Sequence, residues 1–170
     1  VEKCGNHYNY KDGTTMIVKR GNMWDAVNDK CSHFCFTTNA CVKTDGRLVM
    51  GKGIAKKVGD MFPDIPVKLG RAINHLVLYG IKHAGYYKIN GHSVLMTAFQ
   101  VKGSWKQPAD LQLIEYSALL LKKVAELPGL KSKVILLNFP GIGNGGLAKE
   151  TVLPYLQVLP DNVHIYLRGK

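Results

Sequence analysis

The segment KVILLNFP, Lys133 to Pro140, is a nearly unbroken apolar run, and it limits the possible folds more than any other stretch of the chain. A strand with one wet face alternates apolar and polar residues, whereas a run without alternation is covered on both faces. Such a strand calls for a sheet with helices on either side. The run leads directly into GIGNGGL, Gly141 to Leu147, where the backbone is free to turn and to approach a ligand closely.

The other segments fit the same plan. TTMIVKRG, Thr14 to Gly21, and FCFTTNA, Phe34 to Ala40, are β-branched runs that read as strands, each ending at a small residue. From Gly51 to Phe62 the period changes, and Ile54, Val58, Met61 and Phe62 fall on one predicted helical face. INHLVLYG and GYYKING read as strand pieces with turns at Gly80 and Gly91, and Ser93 to Val101 reads as a buried strand. Pro108 suits the first turn of a helix whose face is Leu111, Ile114, Ala118, Leu121 and Ala125, with Asp110 at its positive end and Tyr116 and Leu119 as packing or surface cover. Lys149 to Leu156 reads as a helix shortened or bent by Pro154, and Val163 to Leu167 as a last strand.

At 170 residues, 46% of them hydrophobic, one well-filled core is expected and two ordinary domains are not. No run of about 18 apolar residues is present and no basic start precedes an apolar signal core, so no membrane association is expected. Cys4, Cys31, Cys35 and Cys41 make no C-x-x-C pair, and they read as buried or incidental thiols in the cytosol rather than as a zinc site or two disulfides. The six histidines show no ligand spacing, and no metal is expected. Phe34, Phe36 and Phe99 read as packing, and Trp24 and Trp105 as core or cleft-wall aromatics.

The formal charge of +11, from 23 basic and 12 acidic residues, favours an anionic partner: nucleic acid, a nucleotide or a phosphorylated group. Its cations are dispersed, with no basic run and no interleaving of aromatics, so a dedicated nucleic-acid module is the weaker reading.

Two glycine loops define the candidate site. VMGKG and GIGNGG each lie between a predicted strand and a predicted helix, where free N–H groups and the helix dipole make an anion site. At the C-terminal ends of an open sheet, two such loops could embrace a pyrophosphate from opposite sides. Each also has a plainer reading, tight turn and close helix packing for the first and flexible surface loop for the second. Neither is a dinucleotide fingerprint in its usual place, since Lys56 stands where a third glycine belongs after Gly51 and Gly53, and neither is a Walker A loop.

In order and spacing, GN at Gly21–Asn22, TNA at Thr38–Ala40, VMGKGIA at Val49–Ala55, MFPD at Met61–Asp64, QVKGSW at Gln100–Trp105 and GIGNGGL at Gly141–Leu147 resemble the macro-domain family. The likeness is greatest to the branch that removes ADP-ribose from nucleic-acid bases. It spans Met16 to Leu167, and with it a single domain over residues 1–170 is expected. The resemblance implies a three-layer αβα sandwich around a central mixed sheet, with ADP-ribose as ligand or substrate and no further cofactor. It implies that Asn39 sits by the distal ribose and that Gly51, Lys52, Gly53 and Ile54 line the diphosphate and distal ribose. Gly143, Asn144, Gly145, Gly146 and Leu147 would cover the phosphates. Lys102 stands where that branch carries its catalytic lysine, with Asn39 as a second catalytic candidate, and Trp105 and Pro108 continue the branch's pattern.

The sequence departs from the family at three places. Asn22 replaces the aspartate that commonly holds the adenine amino group, with Asp25 as a possible substitute. The connection from Asn39 to Gly51 is longer than usual and carries Lys43 and Arg47, which either meet a phosphate backbone or face water. Ile142 stands where a cysteine is common.

The chemistry expected of Lys102 follows from the bond to be broken. Positive character develops at the anomeric carbon, and a nearby lysine either attacks the opened sugar as an amine or protonates the leaving group as an ammonium. The amine role needs a lowered pKa, to which Lys52 could contribute as a neighbouring cation. Four readings follow: a hydrolase removing ADP-ribose from a DNA base or protein side chain, an ADP-ribose 1″-phosphate phosphatase, a non-catalytic ADP-ribose-binding module, or a basic nucleic-acid-binding protein.

Overall fold

The computed structural model describes residues 2–10, 13, 15–76 and 79–168. Eight strands form one sheet: β1 (Glu2–Cys4), β2 (His7–Asn9), β3 (Thr15–Arg20), β4 (Cys31–Asn39), β5 (Ile81–Ile89), β6 (His92–Lys102), β7 (Val134–Asn138) and β8 (Val163–Leu167), in the order β1-β2-β3-β8-β7-β4-β6-β5. The neighbours from β3 across to β6 are parallel, while β1, β2 and β5 are antiparallel additions at the two edges. Among the described residues four α-helices flank the sheet: α1 (Ile54–Met61), α2 (Ile65–Leu76), α3 (Leu111–Ala125) and α4 (Lys149–Leu156). This is the expected α/β sandwich with a mixed sheet.

Alternate residues of the central strands feed two cores. Phe34, Phe36, Met96, Ala98 and Leu136 pack with Ala55 and Val58 of α1 and with Ile65 and Leu69 of α2. Cys35, Phe99, Val101, Ile135 and Leu137 pack with Ile114, Ala118 and Leu121 of α3 and with Val152 and Leu156 of α4. Period-two alternation with both faces apolar is what made Lys133 to Pro140 read as continuous. Phe34, Phe36 and Phe99 are fully buried, and truncating any one to alanine costs about 3–5 kcal/mol.

The two faces decide where the chain leaves the sheet. From β4 it leads to α1 on one face; from the adjacent parallel strands β6 and β7 it leads to α3 and α4 on the other. Neighbouring strands whose chains depart to opposite faces leave a crevice at their C-terminal ends, the usual ligand position in open α/β sheets. Asn39, Lys102 and the loop after Asn138 all lie at that edge.

Several local expectations need correction. Ile73 to Leu76, the start of INHLVLYG, is the end of α2 rather than a strand, and Val77 and Leu78 lie outside the described residues, as does Thr14. Ile65, Leu69 and Ile73 repeat every four residues, but Gly70 hides the helix in sequence. That glycine is required by packing, since a Cβ there would collide with the carbonyl oxygen of Gly46. On α1 Ile54, Val58 and the C-cap Phe62 face inward as expected, joined by Ala55, while Met61 turns outward with 47% of its surface exposed. Pro108 precedes α3 instead of entering its first turn; Asp110 is the cap, its carboxylate accepting from the N–H groups of Gln112 and Leu113. Strands β1 and β2 were not foreseen. The four cysteines are all free thiols.

Candidate functional site

The first glycine loop is delivered by a clasp. After β4 the chain makes an excursion closed by the Val42–Leu48 bridge, and Leu48 N–H donates to Pro66 O of α2 at 2.9 Å. The Asn39 side chain, only 5% exposed, ties both legs: its Oδ1 accepts from Cys41 N–H and its Nδ2 donates to Val49 O, each at 2.9 Å. This returns Met50 and Gly51 to the end of β4. Gly53 caps α1 at φ 73°, ψ −140°, a conformation open to glycine alone, and no side chain caps the helix. The N–H groups of Gly51, Lys52 and Gly53 donate to no carbonyl among the described residues, and no acidic side chain occupies the first turn of α1. The result is a row of open donors at the positive end of a helix. Gly51, Lys52 and Gly53 are exposed and Ile54 is half-buried.

The second loop is closed on itself. Leu147 N–H donates to Gly141 O, Gly146 N–H to Gly143 O and Gly145 N–H to Ile142 O. Gly145 is buried, and its carbonyl accepts from Ala109 N–H at 2.9 Å, which seats the loop on the approach to α3. Ile142 and Leu147 pack on the α3/α4 core. Gly143 and Asn144 stay exposed, and their own N–H groups donate to no backbone carbonyl among the described residues.

The loops meet at Asn144. A Cβ placed on Gly53 would lie 3.5 Å from Asn144 Nδ2, and the Lys102 ammonium donates to Asn144 O at 3.5 Å and to Trp105 O at 3.4 Å. Both contacts are long for hydrogen bonds, so they steer the half-buried lysine without immobilising it. Of the sequence-predicted residues, Lys102, Gly53 and Asn144 are thus brought together directly, with Asn39 holding one loop in place.

Asn22 and Asp25 stand apart from this group, beyond the end of β3, which β8 separates from β7. Asn22 Oδ1 is occupied locally, accepting from Trp24 N–H at 3.0 Å and capping the short turn Met23–Ala26; Asp25 is exposed on that turn. The turn reaches α1 through Lys57, whose ammonium lies 4.9 Å from the Trp24 ring centre, and Trp24 in turn packs on Phe34 at 4.5 Å. Of the two rim cations, Arg47 is paired with Asp45 at 2.8 Å, which holds that exposed carboxylate below its usual range, and Lys43 is exposed.

One positioning residue was missed. Asn138 ends β7, and its side chain spans to β4: Oδ1 accepts from Thr37 N–H and Nδ2 donates to Thr37 Oγ1, both at 2.9 Å. This cross-link holds together the two strand ends that carry the loops. The signal was present as the single polar interruption in KVILLNFP.

No family model matches the sequence, and no curated protein matches it. Solved structures do. The chain is similar to Thermosipho africanus DarTG, solved in complex with ADP-ribose, at 24% identity and a TM-score of 0.68, covering 88% of this chain and 41% of that one. It is also similar to the macrodomain of Thermus aquaticus DarG (23% identity, TM-score 0.65, 90% of this chain and 96% of that one). The macrodomain of Mycobacterium tuberculosis DarG gives 23% identity and a TM-score of 0.62, over 89% and 97% of the two chains. The fold is that of a macrodomain. In this chain the crevice beside β4 is bounded by one open and one closed glycine loop, with a lysine between them. The chain spans less than half the length of the Thermosipho protein.

Proposed function

We propose that this chain binds ADP-ribose in the crevice beside β4 and hydrolyses its bond to an acceptor, a DNA base or a protein side chain. The observation that carries the proposal is the position of the Lys102 amine, 3.5 Å from the carbonyl of Asn144, whose side chain abuts Gly53. The unpartnered N–H groups of Gly51 to Gly53 suit the diphosphate. Gly143 and Asn144 would close over it, and the distal ribose would lie toward Asn39 and Lys102. Asn22 and Asp25 would meet the adenine end through the turn beside α1. In the Thermosipho protein the bound molecule is ADP-ribose, which supports this choice of ligand.

Binding energy at the diphosphate, remote from the reacting carbon, would hold the sugar against Lys102. Hydrolysis forms a bond between the anomeric carbon and water oxygen, breaks the bond to the acceptor, and returns a proton to the acceptor. Lys102 serves this in one of two ways. As an ammonium it gives the proton to the departing acceptor. As an amine it bonds to the anomeric carbon as the sugar ring opens and the acceptor departs, its two N–H protons passing to the ring oxygen and to the acceptor, and water later cleaves the resulting Schiff base to free ADP-ribose and the amine. Asn39 acts through the loop it clasps.

Calorimetric titration with ADP-ribose, wild type beside Lys102→Ala, tests the reading together with turnover of an ADP-ribosylated DNA oligonucleotide and an ADP-ribosylated protein. Lys102→Ala should keep affinity within a few fold and lose about 10²–10⁴ in rate. Borohydride added during turnover separates the two roles, since a Schiff base would leave ADP-ribose reduced onto Lys102. Binding without turnover of either substrate would mark a binding module. Phosphate release from ADP-ribose 1″-phosphate alone would mark a phosphatase, and salt-sensitive nucleic-acid affinity untouched by ADP-ribose would place the function elsewhere.

A further inference from the structure

The two strands that carry Asn39 and Lys102 lose their register just before those residues. As far as Thr38 and Gln100, β4 and β6 pair residue for residue; the next pair is Asn39 with Lys102, so Val101 is the extra residue of a β-bulge. The slip puts Lys102 beside Asn39, a place that Val101 would take in an unbroken ladder. At the same point two carbonyls of β6 are drawn toward α3 and its cap. Gln100 O accepts from Ser117 Oγ at 2.8 Å and Val101 O from Asp110 N–H at 2.7 Å. The candidate catalytic lysine is therefore placed by an irregularity, and irregular backbone needs partners beyond the ladder.

Two buried polar atoms lie at the slip. Thr38 alternates with Phe34 and Phe36, and Gln100 with Met96 and Ala98, so by strand period both side chains stand on the α1/α2 face, as neighbours in register. Gln100 is fully buried and Thr38 is 4% exposed. Gly80 N–H donates to Gln100 Oε1 at 2.8 Å, which fixes how that amide is turned. Its Nε2 is then a buried donor with no hydrogen-bond partner, and Thr38 Oγ1 has none either. Buried amides and hydroxyls are rarely left in this condition, because each unmet group costs the bonds it made to solvent. Adjacent strands stand about 4.8 Å apart, a span that one water crosses with two hydrogen bonds of about 2.8 Å. Neither group is charged, and a donor beside a hydroxyl that both donates and accepts suits a water and not an ion.

We infer that Thr38 and Gln100 bind one internal water at the slip, and that this water positions Lys102 by tying β4 to β6 where their register breaks. The water accepts from Gln100 Nε2 and bonds to Thr38 Oγ1, so both groups are met and the strand ends are joined one residue short of Asn39. The kinetic consequence rests on the hydrolase reading above, whereas the water does not. Thr38 and Gln100 are positioning residues: both are shut off from solvent, and they act on the lysine through the strand that carries it. A shift of that strand end moves the amine relative to the sugar, and small misplacements of a reacting group are costly in rate.

Thr38→Val tests the water by the sign of its effect. The two side chains have the same shape, so if no water bridges the pair the substitution only removes an unmet hydroxyl, and the melting temperature should rise. If a water is bound, the substitution takes one of its partners and leaves Gln100 Nε2 unmet, and the melting temperature should fall by about 2–4 °C. A crystal structure of the wild type should show a water within hydrogen-bond distance of Thr38 Oγ1 and Gln100 Nε2. On an ADP-ribosylated oligonucleotide or protein, Thr38→Val should lower kcat about tenfold. Its calorimetric affinity for ADP-ribose should stay at the wild-type value, because both glycine loops are untouched, and Thr38→Ser, which keeps the hydroxyl, should restore kcat. A melting temperature that rises or holds in Thr38→Val, or density that places no water between the two atoms, overturns the inference. A lowered melting temperature with unchanged kcat overturns the positioning role. If the wild type cleaves neither substrate, the hydrolase reading has failed, and the melting temperature and density still decide the water.

Discussion

Toward its C-terminal end β4 gives Thr37 and Asn39 neutral hydrogen-bond partners, whereas nearer its start the same strand buries an imidazole beside another imidazole. Thr37 and Asn138 satisfy each other across two strands, and Asn39 spends its amide on Cys41 and Val49. His33 is 5% exposed, its Nδ1 lies 2.8 Å from Ser32 Oγ, and its ring stands 5.8 Å from that of His83, which contacts Thr97 Oγ1. Both arrangements bury polarity, but only the second can acquire a charge. The site end of the strand is therefore held by bonds indifferent to pH, and the acid sensitivity is placed elsewhere.

The largest expected effect tests that division. Burial, reinforced by the charge His83 can carry, pulls the His33 pKa down from 6.5 to about 4. Partial desolvation lowers the more exposed His83 as well. Above pH 6.5 neither state of the chain is protonated at His33. Between 6.5 and about 4 the unfolded chain takes up a proton that the folded chain refuses, so stability falls as pH falls and levels off below about 4. From His33 alone the loss amounts to about 3 kcal/mol. Urea unfolding at stepped pH from 7 to 4 should show this decline, and His33→Gln should flatten it. Equal slopes in the two proteins would mean that the acid-sensitive group lies elsewhere.

At the other end of β4, Asn39→Ala removes two hydrogen bonds from a buried amide and should cost about 2 kcal/mol. It should also weaken ADP-ribose binding, because Val49 keeps its N–H bond to Cys41 O but loses the side-chain bond that fixes its carbonyl on the way to Gly51. Asn39→Asp keeps the acceptor for Cys41 N–H but loses the donor to Val49 O, and places a carboxylate near the loop meant for phosphate. Its affinity should therefore fall further than its melting temperature suggests. If both variants bind ADP-ribose as tightly as wild type, Asn39 is not the clasp that sets the loop.

This contrast also explains what could be read from the sequence. The parallel core was legible because KVILLNFP and HSVLMTAFQV are apolar on both faces, and α3 because its inward positions repeat without interruption. Helix α2 was not, because Gly70 answers to the carbonyl of Gly46, a partner 24 positions away by chain numbering. The glycine loops and Lys102 were recognisable by residue type and order. The bonds that set them, Asn138 to Thr37 and Lys102 to Asn144, span 101 and 42 residues and have no local pattern. The resemblance places Asn39 by the distal ribose, whereas its two bonds to the backbone, at Cys41 and Val49, have no signature in the sequence.

The smallest expected effect compares the two glycine loops. Gly53 sits at φ 73°, ψ −140°, where a residue with a Cβ is strained, whereas Gly146 sits at φ 76°, ψ 3°, in the left-handed region that asparagine also enters. Gly53→Ala should cost about 1–2 kcal/mol and, if the loop relaxes to escape the strain, turn its free N–H groups away from the diphosphate. Gly146→Asn should cost less than about 1 kcal/mol and leave the loop's internal bonds standing, since the N–H that donates to Gly143 O is retained. Calorimetry with ADP-ribose should accordingly show a much larger loss of affinity at Gly53 than at Gly146. If the second substitution were the more damaging, the closed loop would be the principal phosphate donor and the open one a wall, and the roles argued from their hydrogen bonds would have to be exchanged.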